Sequence, residues 1–106
     1  MNAIALVQAT FPDEEEARAI GGRLVEERLV ACANVLGSCL SVYRWEGAVE
    51  SGAEAIAQFK TLPQRVEAVV ARIAELHSYT LPAIEHWTVQ TNEAGAAWVR
   101  DCLTGR

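Results

Sequence analysis

Apolar positions in this chain recur with two periods, and the alternation between them lays out its elements. The run from Ala3 to Ala9, with Ile4, Leu6 and Ala9, predicts a first strand buried on both faces, and Thr10-Phe11-Pro12 is expected to break it. Asp13 stands where a helix cap is needed, and Glu14, Glu15 and Glu16 suit the positive end of the helix dipole. Ala17, Ile20, Gly21, Leu24, Val25 and Arg28 then recur at helical spacing, as one stripe of an amphipathic helix. Consecutive carboxylates point around a helix and do not converge, so the acidic triplet predicts a helix start and not a metal cluster.

From Ala31 the period changes to two. Tyr43 and Trp45 load one face of a strand, and Val42, Arg44 and Glu46 load the other. Gly37-Ser38 interrupts this strand as a bulge or bend, and Glu46-Gly47 offers the positive φ of a tight hairpin. On the return, Ala53, Ala55, Ala57 and Phe59 alternate with Glu54, Ile56, Gln58 and Lys60. Such a hairpin is too long for one small domain to cover. Its projecting end is either a solvated, twisted ribbon or a subunit interface, and the aromatic pair Tyr43 and Trp45 favours the interface.

Thr61 and Pro63 mark a second helix start, and Leu62, Val66, Val69, Val70, Ile73 and Leu76 or His77 repeat at helical spacing. His77-Ser78 ends this helix, and Pro82 prevents it from restarting. Ala83 to Thr91 alternates as a fourth strand, with Ala83, Glu85, Trp87 and Val89 on one side. Thr91-Asn92 caps a last helix predicted to carry Ala94, Ala97, Trp98, Asp101 and Cys102 on one stripe. The order β-α-β-β-α-β with an added C-terminal helix predicts an α+β, ferredoxin-like sandwich with a long central hairpin, in a single domain over residues 1–106.

Composition narrows the function. Half of the 106 residues are hydrophobic, so a packed core is expected. The formal charge of −5 argues against a nucleic-acid partner. No apolar run reaches a membrane span and Met1-Asn2-Ala3-Ile4 has no basic start, which predicts a cytoplasmic protein without a membrane partner. Cys32, Cys39 and Cys102 are odd in number and include no C-x-x-C, so neither a disulfide framework nor a structural zinc site is expected.

No nucleophile elbow, phosphate-cradling glycine loop or H-E-x-x-H is present. The loop from Gln8 to Asp13 lacks glycine and basic residues, against a small phosphatase. His77 at a helix C-terminus is either a cap or packing residue, or a cleft residue followed by Tyr79. His86, beside Trp87, reads as surface or interface. Lys60, the only lysine, reads by itself as a snorkelling surface group, and Glu54 on the same strand face is about 20 Å away from it.

Ala31-Cys32-Ala33-Asn34, Ser41 through Gly47, Glu54 with Lys60-Thr61, and His77-Ser78-Tyr79-Thr80-Leu81-Pro82 together resemble the divalent-cation tolerance proteins of the CutA family. The resemblance covers nearly the whole chain, Pro12-Asp13-Glu14 and Trp98 included. It implies a fold related in shape to the PII signalling proteins and a homotrimer in which hairpins wrap neighbouring subunits. It further implies a role in tolerance to copper and other divalent metals, with no required cofactor and no catalytic activity. The ligand cleft it implies lies between subunits and carries over to Trp45, Lys60, His77 and Tyr79, with Cys32 and Asn34 nearby.

The chain departs from the family pattern at several positions. Ser78 stands where the family often has proline, Ala83 where it often has glutamate, and Gly95 where it has an aromatic. Ala9 and Leu76 stand where some bacterial members carry a cysteine and a second histidine, so copper-suited donors are missing. His77 is left as the one donor for Cu(II) or another divalent metal, in a weak, open site. The preferred expectation is a trimeric metal- or small-ligand-binding protein. The alternatives are a PII-like regulator binding an anionic metabolite through Lys60 and arginine, and a small enzyme with His77 as general base.

Overall fold

The first strand runs past its expected end. In the computed structural model, which describes residues 2–105, β1 spans Ala3–Phe11. Pro12 biases the residue before it toward extended backbone, so Phe11 stays in the strand, where it is fully buried and pairs with Ala55. Helix α1 (Glu14–Glu26) starts as expected, with the Asp13 carboxylate accepting the Glu16 N–H at 2.8 Å. Its buried stripe is Ala17, Ile20, Gly21 and Leu24. Val25 is exposed, and Arg28 lies beyond the helix with φ 60°, where its guanidinium donates to the Cys102 carbonyl at 3.0 Å.

Strands β2 (Cys32–Trp45) and β3 (Ala48–Thr61) form the long hairpin. Glu46 and Gly47 at its tip have φ 49° and 84°, the paired positive values of a type I′ turn. A register shift between Val35 and Ser38 sets the bulge at Gly37. Thr61 ends β3 and its hydroxyl donates to the Leu29 carbonyl, so it closes the strand and does not cap the next helix. A 3-10 turn (Pro63–Arg65) leads into α2 (Val66–Leu76). Strand β4 (Ile84–Gln90) and helix α3 (Glu93–Thr104), capped by Asn92 on the Gly95 N–H, complete the chain.

All pairings are antiparallel and the strand order is β2-β3-β1-β4, the ferredoxin-like arrangement. One face packs Ala5, Val7, Phe11 and Phe59 against Leu24, Val69 and Ile73 of α1 and α2. Helix α3 closes one end of the opposite face, with Ala96, Val99 and Leu103 against Ile4, Ala31 and Leu62. The predicted stripe of α3 is therefore corrected. Ala94, Trp98 and Asp101 are exposed, because the sheet receives the helix on the face where Ala96 permits close approach.

Gly21 sits where α1 crosses β2, and a Cβ there would lie 2.8 Å from the Ala33 Cβ. Gly21→Ala gains about 1 kcal/mol of helix propensity but overpacks a rigid contact at about 1–3 kcal/mol. A net loss in urea unfolding is expected; a gain would show that the two elements shift apart freely.

Glu27 ties the two helices, accepting from the Arg72 Nε and Nη2 at 2.9 and 2.8 Å and from the Arg23 Nε at 3.1 Å. These hydrogen bonds, Arg72's first, hold its carboxyl down from an ordinary 4.5 to about 2. A carboxyl depressed on folding stabilises the fold above its unfolded value and loses that contribution as pH falls through its folded value. The stability difference between the parent and Glu27→Gln should accordingly narrow between about pH 4.5 and pH 2. A difference independent of pH across that range would show that the carboxylate charge is not what the guanidinium reads.

Candidate functional site

Helix α2 ends at His77, whose N–H still donates to the Ile73 carbonyl at 2.9 Å while its own ψ of 142° turns the chain outward. The imidazole is wholly enclosed, at 0% side-chain exposure. It stacks on Phe11 (4.7 Å between centroids, 12° between planes) and meets the Tyr79 ring at 4.7 Å. Nδ1 accepts the Tyr79 backbone N–H at 3.0 Å, which assigns the proton to Nε2. Nε2–H then donates to the Thr10 carbonyl at 2.8 Å. Thr10 lies one residue past the last β1–β4 pair, Ala9 with Ile84. His77 thus satisfies a carbonyl that β4 does not reach.

Two acidic residues hold the loop that follows. Glu16 accepts the Ser78 N–H at 3.0 Å and lies 3.6 Å from His77 Nδ1. Glu54 accepts the Tyr79 hydroxyl at 2.7 Å, across 25 residues of sequence. Burial first, and then the bond to the Glu54 carboxylate, pushes the Tyr79 phenol well above its ordinary value, so it stays a donor. The acidic triplet therefore does more than start a helix. The pattern carried no signal for this, because the contact joins Glu16 to Ser78 over 62 residues.

Between this loop and the hairpin opens a cleft of about 770 Å³, walled by Tyr43, Trp45 and Tyr79 and bordered by Glu50, Glu54 and Glu85. Of the six residues expected to share a site, Trp45 and Tyr79 line it, and His77 is buried behind Tyr79. Cys32, Asn34 and Lys60 lie elsewhere. Cys32 pairs with Lys60 and Asn34 with Gln58, and the Cys32 thiol is 3.6 Å from the Asn34 Oδ1. Lys60 is six residues along β3 from Glu54, about 20 Å by strand rise. One subunit thus divides the set in two. Glu50 and Glu85 were missed, since solvent-side carboxylates on a strand look alike until the neighbouring loop is in place.

The family model described as "CutA1 divalent ion tolerance protein" matches residues 5–102. The chain belongs to the CutA1 family. It is 37% identical over 97 residues to the divalent-cation tolerance protein CutA of Thermus thermophilus, covering 91% of this chain and 94% of that relative. Its fold is similar to CutA1 from Ehrlichia chaffeensis at a TM-score of 0.87 and 34% identity, over 97% of each chain. It is also similar to a CutA from Archaeoglobus fulgidus described as periplasmic, at a TM-score of 0.90 and 29% identity, over 94% of this chain and 98% of that one. As a CutA1-family member the chain has the four-stranded antiparallel sheet and three helices expected of it, and no helix among the described residues is long and apolar enough to cross a membrane.

The metal implied by the family can be tested against the donors present. Among the described residues, no group of three or more histidine, cysteine, aspartate or glutamate side chains converges as a metal site. His77 has both ring nitrogens engaged, and a metal on either would displace the Thr10 carbonyl or the Tyr79 N–H. Within one subunit the donor set does not fit a tight copper site.

Proposed function

We propose that this chain serves divalent-cation tolerance as a non-catalytic homotrimer, with a ligand cleft completed at the subunit boundary. The observation that carries this is the hairpin. It extends a molecule measuring 46 × 24 × 22 Å and exposes Leu40, Val42 and Val49 at 75%, 68% and 65%. These aliphatics share the face of β2 and β3 that α1 and α2 cover further along, and they are more exposed than Tyr43 at 44% and Trp45 at 45%. A second copy is the natural cover for such a surface. Light scattering at micromolar concentration should report about three times the 11.5 kDa chain mass. A stable monomer would sink the proposal.

The split of the candidate residues supports a shared site, because Lys60 reaches the Trp45 and Tyr79 group only from another subunit. An assembly structure with Lys60 more than about 15 Å from every His77 would remove that part. Copper, on this proposal, binds weakly and through donors of more than one subunit, and calorimetric titration with Cu(II) should show no nanomolar site. The absence of catalysis is supported by His77, whose Nδ1 and Nε2 are both committed to the fold and leave no free base. An anionic metabolite is disfavoured by the part of the cleft that one subunit supplies, which carries three glutamates and neither lysine nor arginine, so a neighbour's Lys60 would have to supply the positive charge. Three free cysteines suit the reducing cytoplasm, and cell fractionation would separate this from the compartment named for the Archaeoglobus relative.

A further inference from the structure

We infer that the hydrogen bond from Tyr79 to Glu54 is a brace that aims the free arm of the hairpin at a neighbouring copy. This rests on the hairpin being a subunit interface and names the contact that presents it.

The arm begins where the sheet stops supporting it. Strand β3 pairs with β1 as far as Ala55, opposite Phe11, and from Glu54 outward it pairs with β2 alone. On β2 the register shift between Val35 and Ser38 falls at the same level, with Gly37 at φ 93°. Residues 39–54 are thus a two-stranded ribbon beyond a bulge, and such a ribbon is marginally stable by itself in water. A bulge bends and twists the strand that carries it, so the backbone alone fixes the direction of the arm loosely.

Tyr79 meets the arm at its root. Its hydroxyl donates to Glu54 Oε2 at 2.7 Å, and Glu54 is the first residue past the β1 pairing. Among the described residues, no other side-chain hydrogen bond or ion pair joins residues 39–54 to the rest of the chain. The other end of the brace is anchored in the domain. The Tyr79 N–H is held by His77 Nδ1 at 3.0 Å, and the neighbouring Ser78 N–H by Glu16 at 3.0 Å. His77 in turn is fixed by the Thr10 carbonyl and the Phe11 ring. Because Phe11 pairs with Ala55, these contacts close a ring around the root of the arm.

Leverage magnifies what happens at that root. Gly47 at the tip lies seven residues from Glu54, roughly 23 Å by strand rise, so a tilt of about 10° moves the tip about 4 Å. Apolar contacts need heavy atoms within about 4.5 Å, and a shift of that size unseats them. By the alternation of the pairing, Glu54 shares its face of the ribbon with Tyr43 and Trp45, while Leu40, Val42 and Val49 take the other. Tyr79 therefore holds the arm from behind and leaves the aliphatic face turned to a second copy. An arm held in place before association lowers the ordering cost of assembly.

Hydrogen exchange and sedimentation on the full-length chain are the test, with Tyr79→Phe keeping the ring and deleting the hydroxyl. Amides of residues 39–54 should exchange about tenfold faster, the lower end for a hydrogen bond to a charged group, while those of β1 keep the parent's rates. In urea just sufficient to begin dissociating the parent trimer, the concentration of half-dissociation should rise at least about tenfold. Glu54→Ala should reproduce both effects, and the double variant should add little to either, since the two side chains act through one bond. Exchange that quickens equally in β1, unchanged dissociation, or losses that add in the double variant overturns the inference. A parent chain that scatters as a monomer sinks the trimer reading instead, and exchange along the arm of that monomer still tests the brace.

Discussion

His77→Ala is expected to lower the unfolding free energy by about 3–5 kcal/mol, the range for deleting a buried ring and leaving its cavity. The ring is fully enclosed and stacked on Phe11, so little relaxation can fill its space. Its removal also strands the Thr10 carbonyl and the Tyr79 N–H, each worth about 1–3 kcal/mol if left unpaired. Against a typical total of about 5–15 kcal/mol this is a large share. His77→Gln can place an amide N–H near the position of Nε2, so it should recover part of the loss. Urea unfolding of the two variants beside the parent decides the matter. A loss below about 1 kcal/mol for His77→Ala, joined to lost ligand binding, would make the residue a ligand group and not a structural one.

Val42→Asp is expected to abolish assembly. Burying a valine or leucine side chain contributes about 1.5–3 kcal/mol, and a symmetric trimer repeats the contact in every subunit. The substitution removes that term and adds a carboxylate that must be desolvated without a partner, at a cost of several kcal/mol more per copy, or about that order. Val42 is 68% exposed in the single subunit and touches no core cluster, so the fold itself should tolerate the change. Scattering should then report the 11.5 kDa monomer or soluble aggregate in place of the trimer. An intact trimer with unaltered thermal stability would move the interface off this face of the hairpin.

The strands and the first two helices were legible because their signals are local. Ala55, Ala57 and Phe59 alternate with Glu54, Ile56, Gln58 and Lys60 as written, and Asp13 caps the helix it precedes. Helix α3 was not legible to the same degree. Small and apolar residues surround it, with Ala94, Ala97 and Trp98 competing against Ala96, Val99 and Leu103, so its periodicity supports two faces. Docking on Ile4 and Leu62 chose between them.

The pattern of residues along the chain was enough for the element order, the hairpin and its bulge, the antiparallel α+β fold and the family. Each of these follows from neighbours a few positions apart or from motifs in a set order. The site followed a different logic. Whether His77 was a cap or a cleft residue depended on Thr10 and Phe11, and the tether on Tyr79 depended on Glu54. Those partners sit 67 and 25 residues away for the two hydrogen bonds, and no period relates residues so far apart. Only the sheet, by setting β1 between β3 and β4, put them within hydrogen-bonding distance, and the same sheet kept Lys60 at its other end.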